Sequence, residues 1–301
     1  MFCILGTYRL KNYLPPKFAP NHYFYRRMEI EFEIKPQNKF SLGLKELWEY
    51  RELFYFFTLR DIKVKYKQTV LGFLWAVLQP LVMALLFSYF LGNAITNYTS
   101  LELPYKIFAL SGLVIWGIFS SGLNNAGNSM VSNANIIKKI YFPRLIIPIS
   151  SVLVGLFDFL MAFVVFIIYS LLNGITFSWQ AFFYFPFAVA LTCIATFGAG
   201  SLLAALNVKY RDFRYIIPFL IQLLLFLTPV IYPVGITKNI YLTWVLALNP
   251  MTAPLDIFRA SINGGHLHLM YDAISIFASL ILLIIGLVYF RKTEAYFADL
   301  A

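Results

Sequence analysis

Six stretches of this chain are nearly free of charge, and each is close to or longer than the roughly 20 residues a helix needs to cross a bilayer. They lie at about 70–92, 107–130, 145–172, 181–208, 215–235 and 272–290. The interior of these runs holds a single acid, Asp158, near the middle of the third. A chain of 301 residues that is 60% hydrophobic and 13% charged has too much apolar surface for a soluble core. In lipid every backbone N–H and C=O must find its partner inside the protein, and helices achieve this within themselves. The expected fold is an all-α integral membrane protein with six transmembrane helices.

Orientation follows from where Lys and Arg fall between the runs. Residues 1–69 hold 13, 131–144 hold 3, 209–214 hold 3 and the tail after 290 holds 2, against Lys106, Lys238 and Arg259 on the other side. This bias of 21 to 3 predicts a multi-pass protein of the cytoplasmic (inner) membrane with both termini cytoplasmic. Residues 1–27 are basic and proline-rich without an apolar core of signal-peptide length. They read as a dispensable N-terminal extension, with Met28 as a start. The segment 28–69 is expected to be cytoplasmic. In it Glu29, Glu31 and Glu33 alternate with Ile30, Phe32 and Ile34 in a strand-like pattern ending at Pro36. Lys45 to about Lys63 then carries a wide face with Leu47, Trp48, Tyr50, Phe54 and Phe57 and a narrow charged edge with Glu49, Glu52 and Arg60. That pattern predicts an amphipathic helix in the membrane interface. Residues 70–301 form the transmembrane domain.

Between the second and third runs, Val131–Arg144 has three positive charges, no negative one, and a stop at Pro143. Ser132 or Asn133 suits a helix N-cap. Ile136, Ile137, Ile140 and Tyr141 recur on one side, and Lys138 and Lys139 fall in the last turn, where the helix dipole favours cations. The spacing predicts a helix of about two turns whose apolar face has only headgroups or a partner protein to cover it. An ordinary basic loop is the alternative. Residues 237–271 are too broken to span. Ile240–Leu248 is one short helical piece, closed by Asn249-Pro250. Thr252, with Pro254 behind it, starts another, ended by Gly264-Gly265. Two such pieces suit a pair of short re-entrant helices between spans five and six, tolerated only where buried in protein or lining a cavity; an external interfacial pair is the alternative.

The chain has no nucleotide-binding P-loop, no nucleophile elbow and no zinc signature. Cys3 and Cys193 cannot build a disulfide framework, and His266-x-His268 reads as a surface loop rather than a metal site. No enzyme activity, metal or cofactor is therefore expected in this chain. Asp158, with no His or Lys in any run, makes a poor proton relay and reads as a structural acid, hydrogen-bonded or protonated between helices. Aromatic residues are abundant, with 31 Phe and 20 Tyr. Trp75, Gln79, Met83 and Phe87 share one face of the first run, and Tyr215, Phe219, Gln222 and Phe226 one face of the fifth. Ring faces stack on sugar C–H surfaces and amides bond hydroxyls, so both faces suit a glycan conduit; plain helix packing is the alternative. A secondary transporter or channel without an ATPase would want an internal repeat and intramembrane charge, which are lacking. A membrane polymerase or ligase would want external clusters, and Arg259, Asp256, His266 and His268 are too sparse for one.

Arg60–Pro80, Asn135–Pro148, Asn207–Tyr215, Thr228-Pro-Val-Ile-Tyr-Pro233 and Leu248-Asn-Pro-Met251 occur in an order and spacing that resembles the membrane (permease) subunits of type-2 ABC transporters exporting polysaccharides. The resemblance covers roughly Leu44 to the C-terminus. It implies a homodimer joined to two copies of a separate ATPase subunit, which would bind ATP and Mg. It implies that the 132–142 segment is a cytoplasmic coupling helix, with Ile136, Ile137, Lys138, Lys139, Ile140 and Tyr141 facing the ATPase. It implies that spans one and five line the conduit. The cargo implied is a polyprenyl-pyrophosphate-linked glycan such as O-antigen or teichoic acid. Arg60, Lys63, Lys65 and Lys67 are then candidates to meet its pyrophosphate or, equally, lipid headgroups.

Overall fold

The computed structural model describes residues 44–67, 72, 74–98, 103–236, 239–262, 267–294 and 297. The N-terminal extension, the strand-like stretch, Cys3 and His266 lie outside these residues. In chain order the helices are α1 (Leu44–Glu49), α2 (Arg51–Lys67), α3 (Leu74–Tyr98), α4 (Tyr105–Ser132), α5 (Ala134–Ile137) and α6 (Ile146–Leu172). They continue with α7 (Ala181–Lys209), α8 (Phe213–Leu227), α9 (Ile240–Ala247), α10 (Thr252–Ala260) and α11 (Leu269–Glu294). Among the described residues no strand occurs, only an isolated bridge between Phe177 and Ile262.

Five helices, α3, α4, α6, α7 and α11, are long and apolar enough to cross a membrane. The fifth expected run behaves differently. Its helix α8 has 15 residues, about 22 Å at 1.5 Å per residue, short of a hydrocarbon core of about 30 Å. It stops because Thr228 precedes Pro229 and adopts an extended conformation, with φ −96° and ψ 142°. The rest of the expected span, Thr228–Pro233, is irregular chain followed by a single 3₁₀ turn at Val234–Ile236.

Helix α4 is the axis of the bundle. Most of its side chains are buried against α6 and α7, with α3, α8 and α10 completing the surround. α11 lies against α7, and the two come closest where Gly198 faces Gly286. A Cβ at Gly198 would lie 2.7 Å from the backbone of Leu283, and one at Gly286 would collide with the Gly198 carbonyl. Two glycines set that helix spacing. By contrast, α3 buries little of itself and turns Leu78, Val82, Leu85, Leu86, Tyr89 and Phe90 outward.

The amphipathic helix expected at 45–63 breaks at Tyr50 and then continues further, to Lys67. The rings of Phe57 and Phe142 stand 5.6 Å apart, and those of Tyr66 and Phe157 5.7 Å apart. Later residues of α2 thus meet later residues of the chain leading into α6, so the two run side by side in the same direction. The coupling segment is shorter than expected, a single helical turn at Ala134–Ile137. Asn133 makes no side-chain cap; its amide nitrogen donates to the Ser129 carbonyl at 2.8 Å instead.

Both short helices after α8 are present. Asn239 caps α9 by accepting from the Tyr241 N–H at 3.0 Å. Asn249 closes the turn, its Oδ1 accepting from the Met251 N–H at 2.9 Å. Thr252 does not cap α10; its hydroxyl donates to the Leu246 carbonyl. α10 ends at Ala260, before Gly264-Gly265, which lie outside the described residues. α10 is buried along almost its whole length, whereas α9 exposes Ile240, Tyr241, Leu242 and Val245. Ser275 and Ser279 of α11 hold the turn between them by donating to the Asn249 and Pro250 carbonyls at 2.7 and 2.9 Å.

Candidate functional site

A cavity of about 770 Å³ opens between α2, α3, α4, α6 and α8. Trp75, Gln79 and Met83 of α3 and Gln222 of α8 line it, so the first and fifth runs do meet at one space. The remaining residue of the first face and the other three of the fifth point elsewhere. Phe87 packs against the core, while Tyr215, Phe219 and Phe226 stand well exposed on the outer side of α8. The wall that α8 gives the cavity is Pro218, Ile221, Gln222 and Leu225, one face at helical spacing with Gln222 at its edge.

Asp158 sits in the cavity wall and joins three helices. The Lys65 ammonium and the Tyr66 hydroxyl, both from α2, donate to its carboxylate, and the Ser121 hydroxyl of α4 donates at 3.0 Å. Burial of the Tyr66 phenol, reinforced by its hydrogen bond to the Asp158 carboxylate, pushes its pKa well above the ordinary tyrosine value. The helix that carries the basic cluster explains why only one lysine arrives. Residues two apart on a helix diverge by about 200°, and those four apart nearly coincide. Lys63 and Lys67 therefore share an exposed face while Lys65 turns to the opposite one. Arg60 is also engaged: its guanidinium bonds Asp61 at 2.8 Å and the Asn133 amide oxygen at 2.8 Å, and it stacks over Phe57 at 4.7 Å.

Those contacts of Arg60 tie α2 to the 132–142 segment. Phe57, Ile137 and Phe142 share one buried cluster with Met130, Leu145 and Ile146. Ile137 is thus turned into the chain's own core, and Ile136 is half-buried against it. Ile140 and Tyr141 are the apolar residues offered outward, 60% and 74% exposed, beside exposed Lys138 and Lys139. A shallow pocket lies among Lys138, Ile140, Tyr141 and Arg144.

The other end of the bundle is built around Arg259 of α10. Its guanidinium stacks on the Phe108 ring at 3.7 Å and donates to the carbonyls of Pro229, at 2.8 Å, and Val230. Gly112 leaves the space: a Cβ there would collide with both the Val230 carbonyl and the guanidinium. The Tyr105 hydroxyl holds the Ile231 carbonyl at 2.9 Å, and the Asn249 amide holds the Thr228 hydroxyl at 2.8 Å. The motifs Thr228–Pro233 and Leu248–Met251 therefore belong to one clamp. Nearby, His268 Nδ1 lies 2.9 Å from Asp256, with buried Asp272 beside it in the first turn of α11.

Sequence reasoning passed over three groups here. Asp272 opens the last apolar run, and its burial gave no signal. Arg259 stands in a stretch too broken to span and reads in sequence as an external loop charge. Ser120, Ser121, Asn124, Asn125 and Asn128 form a polar stripe on α4 that leads from the cavity towards α5, with Asn128 accepting from the Asn207 amide at 3.1 Å. That last group was legible, because its spacings of three and four are those of one helix face.

The model of the ABC-2 type transporter family matches residues 52–263, the stretch from α2 through the Arg259 clamp. The chain is 31% identical over 244 residues to the O-antigen export system permease protein RfbA of Klebsiella pneumoniae, covering 81% of this chain and 92% of that one. It is 30% identical over 222 residues to the protein of the same name from Myxococcus xanthus, covering 72% and 82%. It is 24% identical over 251 residues to the polysialic acid transport protein KpsM of Escherichia coli, covering 78% and 91%. With five apolar helices of spanning length and a family match over more than half its residues, the chain belongs to the ABC-2 type transporter membrane family, as a permease akin to those that export O-antigen and other polysaccharides.

Proposed function

We propose that this chain is the membrane subunit of an ATP-driven exporter that moves a polyprenyl-pyrophosphate-linked polysaccharide across the inner membrane. It acts as a homodimer with two copies of a separate ATP-binding subunit, with both termini on the cytoplasmic side. α8 and the segment after it together count as the sixth crossing, α1 and α2 as the interfacial element, and α9 with α10 as the re-entrant pair. ATP and Mg belong to the partner; this chain binds neither. One observation carries the reading. An unbroken set of contacts runs from exposed Ile140 and Tyr141, through Phe142–Phe57 and Asn133–Arg60, along α2 to Tyr66 and Asp158 at the cavity. Helices transmit displacement along their axis because their backbone bonds are internal, so a push on the segment reaches the cavity wall as a shift of α2.

The cavity suits a glycan in chemistry: Trp75 offers a ring face, and Gln79 and Gln222 offer amides. The exposed aromatics Tyr215, Phe219 and Phe226 extend that surface on the outer side of α8, where a second copy of the chain would complete a conduit. Lys63 and Lys67, exposed on α2, are placed to meet anionic headgroups of either the cargo or the bilayer. The test is deletion of the gene with analysis of the cell-surface glycan, together with purification of the tagged chain. Loss of a lipid-linked surface polysaccharide and recovery of a P-loop ATPase with the chain are expected. An unchanged surface, or transport by the chain alone in vesicles, would overturn the reading.

A further inference from the structure

Asp158 holds its partners unevenly. The Tyr66 and Ser121 hydroxyls that donate to it belong to half-buried residues, whereas the Lys65 side chain is 41% exposed against 13% for the carboxylate it meets. An ion pair that open to solvent is weak and exchangeable. If the ammonium leaves, the carboxylate keeps two hydroxyl donors, so the exchange strands no buried charge without partners. Lys65 is also the lysine of its cluster that the cavity wall contains.

We infer that Asp158 is an internal counter-ion that stands in for the phosphate group of a lipid-borne ligand. Lys65 rests on Asp158 while the cavity is empty and transfers to a phosphate-class anion, in the exporter reading the pyrophosphate of the carrier lipid, when that headgroup reaches the cavity mouth. This rests on the proposed function and extends it to the site and the selectivity. An unpaired lysine here would take any anionic headgroup. Competition from the carboxylate weakens every anion alike, so a phosphodiester falls below the affinity needed to occupy the site, while a pyrophosphate, with more charge and more acceptor oxygens, still displaces it. After the exchange Asp158 faces the newcomer's negative charge without its cation. Repulsion then loosens α2 from α6, and the Arg60–Asn133 and Phe57–Phe142 contacts carry that loosening to the coupling segment.

The test uses the full-length chain in nanodiscs of neutral lipid, with Cys3 and Cys193 changed to Ser and an environment-sensitive dye on Val64→Cys, which is 72% exposed on α2. Polyprenyl diphosphate and phosphatidylglycerol are titrated separately. Polyprenyl diphosphate should shift the dye signal at least about tenfold more tightly than phosphatidylglycerol, the scale of one charge-assisted contact. Lys65→Gln should lose about tenfold of that affinity and Lys65→Arg should keep it. Asp158→Asn should bind both lipids more tightly, so that phosphatidylglycerol shifts the dye at concentrations that leave the unmodified protein unchanged. Equal response to both lipids in the unmodified protein, undiminished binding by Lys65→Gln, or weaker binding by Asp158→Asn would each overturn the inference. A chain whose deletion leaves the surface polysaccharide intact fails the exporter reading instead, and the two failures are read in separate experiments.

Discussion

Arg259 and Lys65 are both cations set among apolar helices, and they are held in opposite ways. Arg259 is 9% exposed, stacked on Phe108, bonded to two backbone carbonyls, and given its space by Gly112. Lys65 is 41% exposed and meets one carboxylate. The region around Arg259 joins four separate stretches of chain by hydrogen bonds with little freedom: Phe108–Gly112, Thr228–Ile231, Leu246–Met251 and α10. The region around Lys65 is joined by a few side chains across a cavity of about 770 Å³. Regions with few buried contacts open at lower free energy than densely packed ones. One end is therefore built to keep its shape and the other to change it, which is what the proposed exporter, driven from its cytoplasmic side, requires.

The sharpest way to break this comparison is at Arg259. Arg259→Ala leaves the Pro229 and Val230 carbonyls buried without donors, and a loss of about 3 kcal/mol or more in stability is expected. Gly112→Ala should come close to it by expelling the guanidinium. Lys65→Ala, in contrast, should stay within about 1 kcal/mol, because the lysine end of its ion pair is open to solvent and Asp158 keeps two hydroxyl donors. Thermal unfolding of the purified variants in detergent measures all three. Similar melting points for Arg259→Ala and Lys65→Ala would mean the two ends are equally rigid, and the comparison would fail.

A smaller effect on the fold and a large one on assembly is expected at the coupling segment. The double change Ile140→Asp and Tyr141→Ala removes outward-facing apolar groups that the chain itself does not bury, so its melting point should move by less than about 0.5 kcal/mol equivalent. Recovery of the ATP-binding subunit in a pull-down should fall at least about tenfold. Ile137→Asp should instead unfold the region, since Ile137 lies in the cluster with Phe57 and Phe142. If Ile137→Asp and the double change behave alike, the segment is not divided into an inner and an outer face. Asn133→Ala comes next. It removes the acceptor for Arg60 and the donor to Ser129, at about 1 kcal/mol. Transport should fall while ATP hydrolysis by the complex continues.

How much of this was legible in the sequence differs between the same two ends. Spans at α3, α4, α6, α7 and α11 follow from long uncharged runs, because bilayer thickness sets their length. The short helices α9 and α10 follow from Asn249-Pro250 and Pro254. Where α8 stops was written in Thr228-Pro229, but the apolar count carried on to 235 and hid it. The alternating Lys63, Lys65 and Lys67 look like one patch in linear sequence, and only the continuation of α2 to Lys67 splits them between two faces. Arg259 was opaque for another reason. Its two closest hydrogen-bond partners lie 30 and 29 residues away and are backbone carbonyls, which carry no side-chain signature, and the Phe108 ring under it is 151 residues away. Asp158 stood out as a charge in an apolar run, yet nothing local showed that Lys65 and Tyr66, more than 90 residues earlier, would meet it.

The finest test of the movable end is pH. In the folded protein the Tyr66 phenol is held neutral, by burial first and then by its bond to the Asp158 carboxylate, so its pKa lies above the ordinary value of 10. In the unfolded chain it ionises near that ordinary value. Between the two, the unfolded state releases a proton that the folded state keeps, so rising pH favours unfolding. The contribution of Tyr66 to stability is complete below pH 10 and is lost as pH climbs past it. Tyr66→Phe removes both the hydroxyl and this dependence. The variant should be slightly less stable than the parent at neutral pH, and the gap between them should close as pH rises above about 10. Melting curves from pH 7 to 11 would show it. A gap that widened instead would mean that the phenolate is tolerated beside Asp158, and that α2 is not pinned to α6 through this hydroxyl.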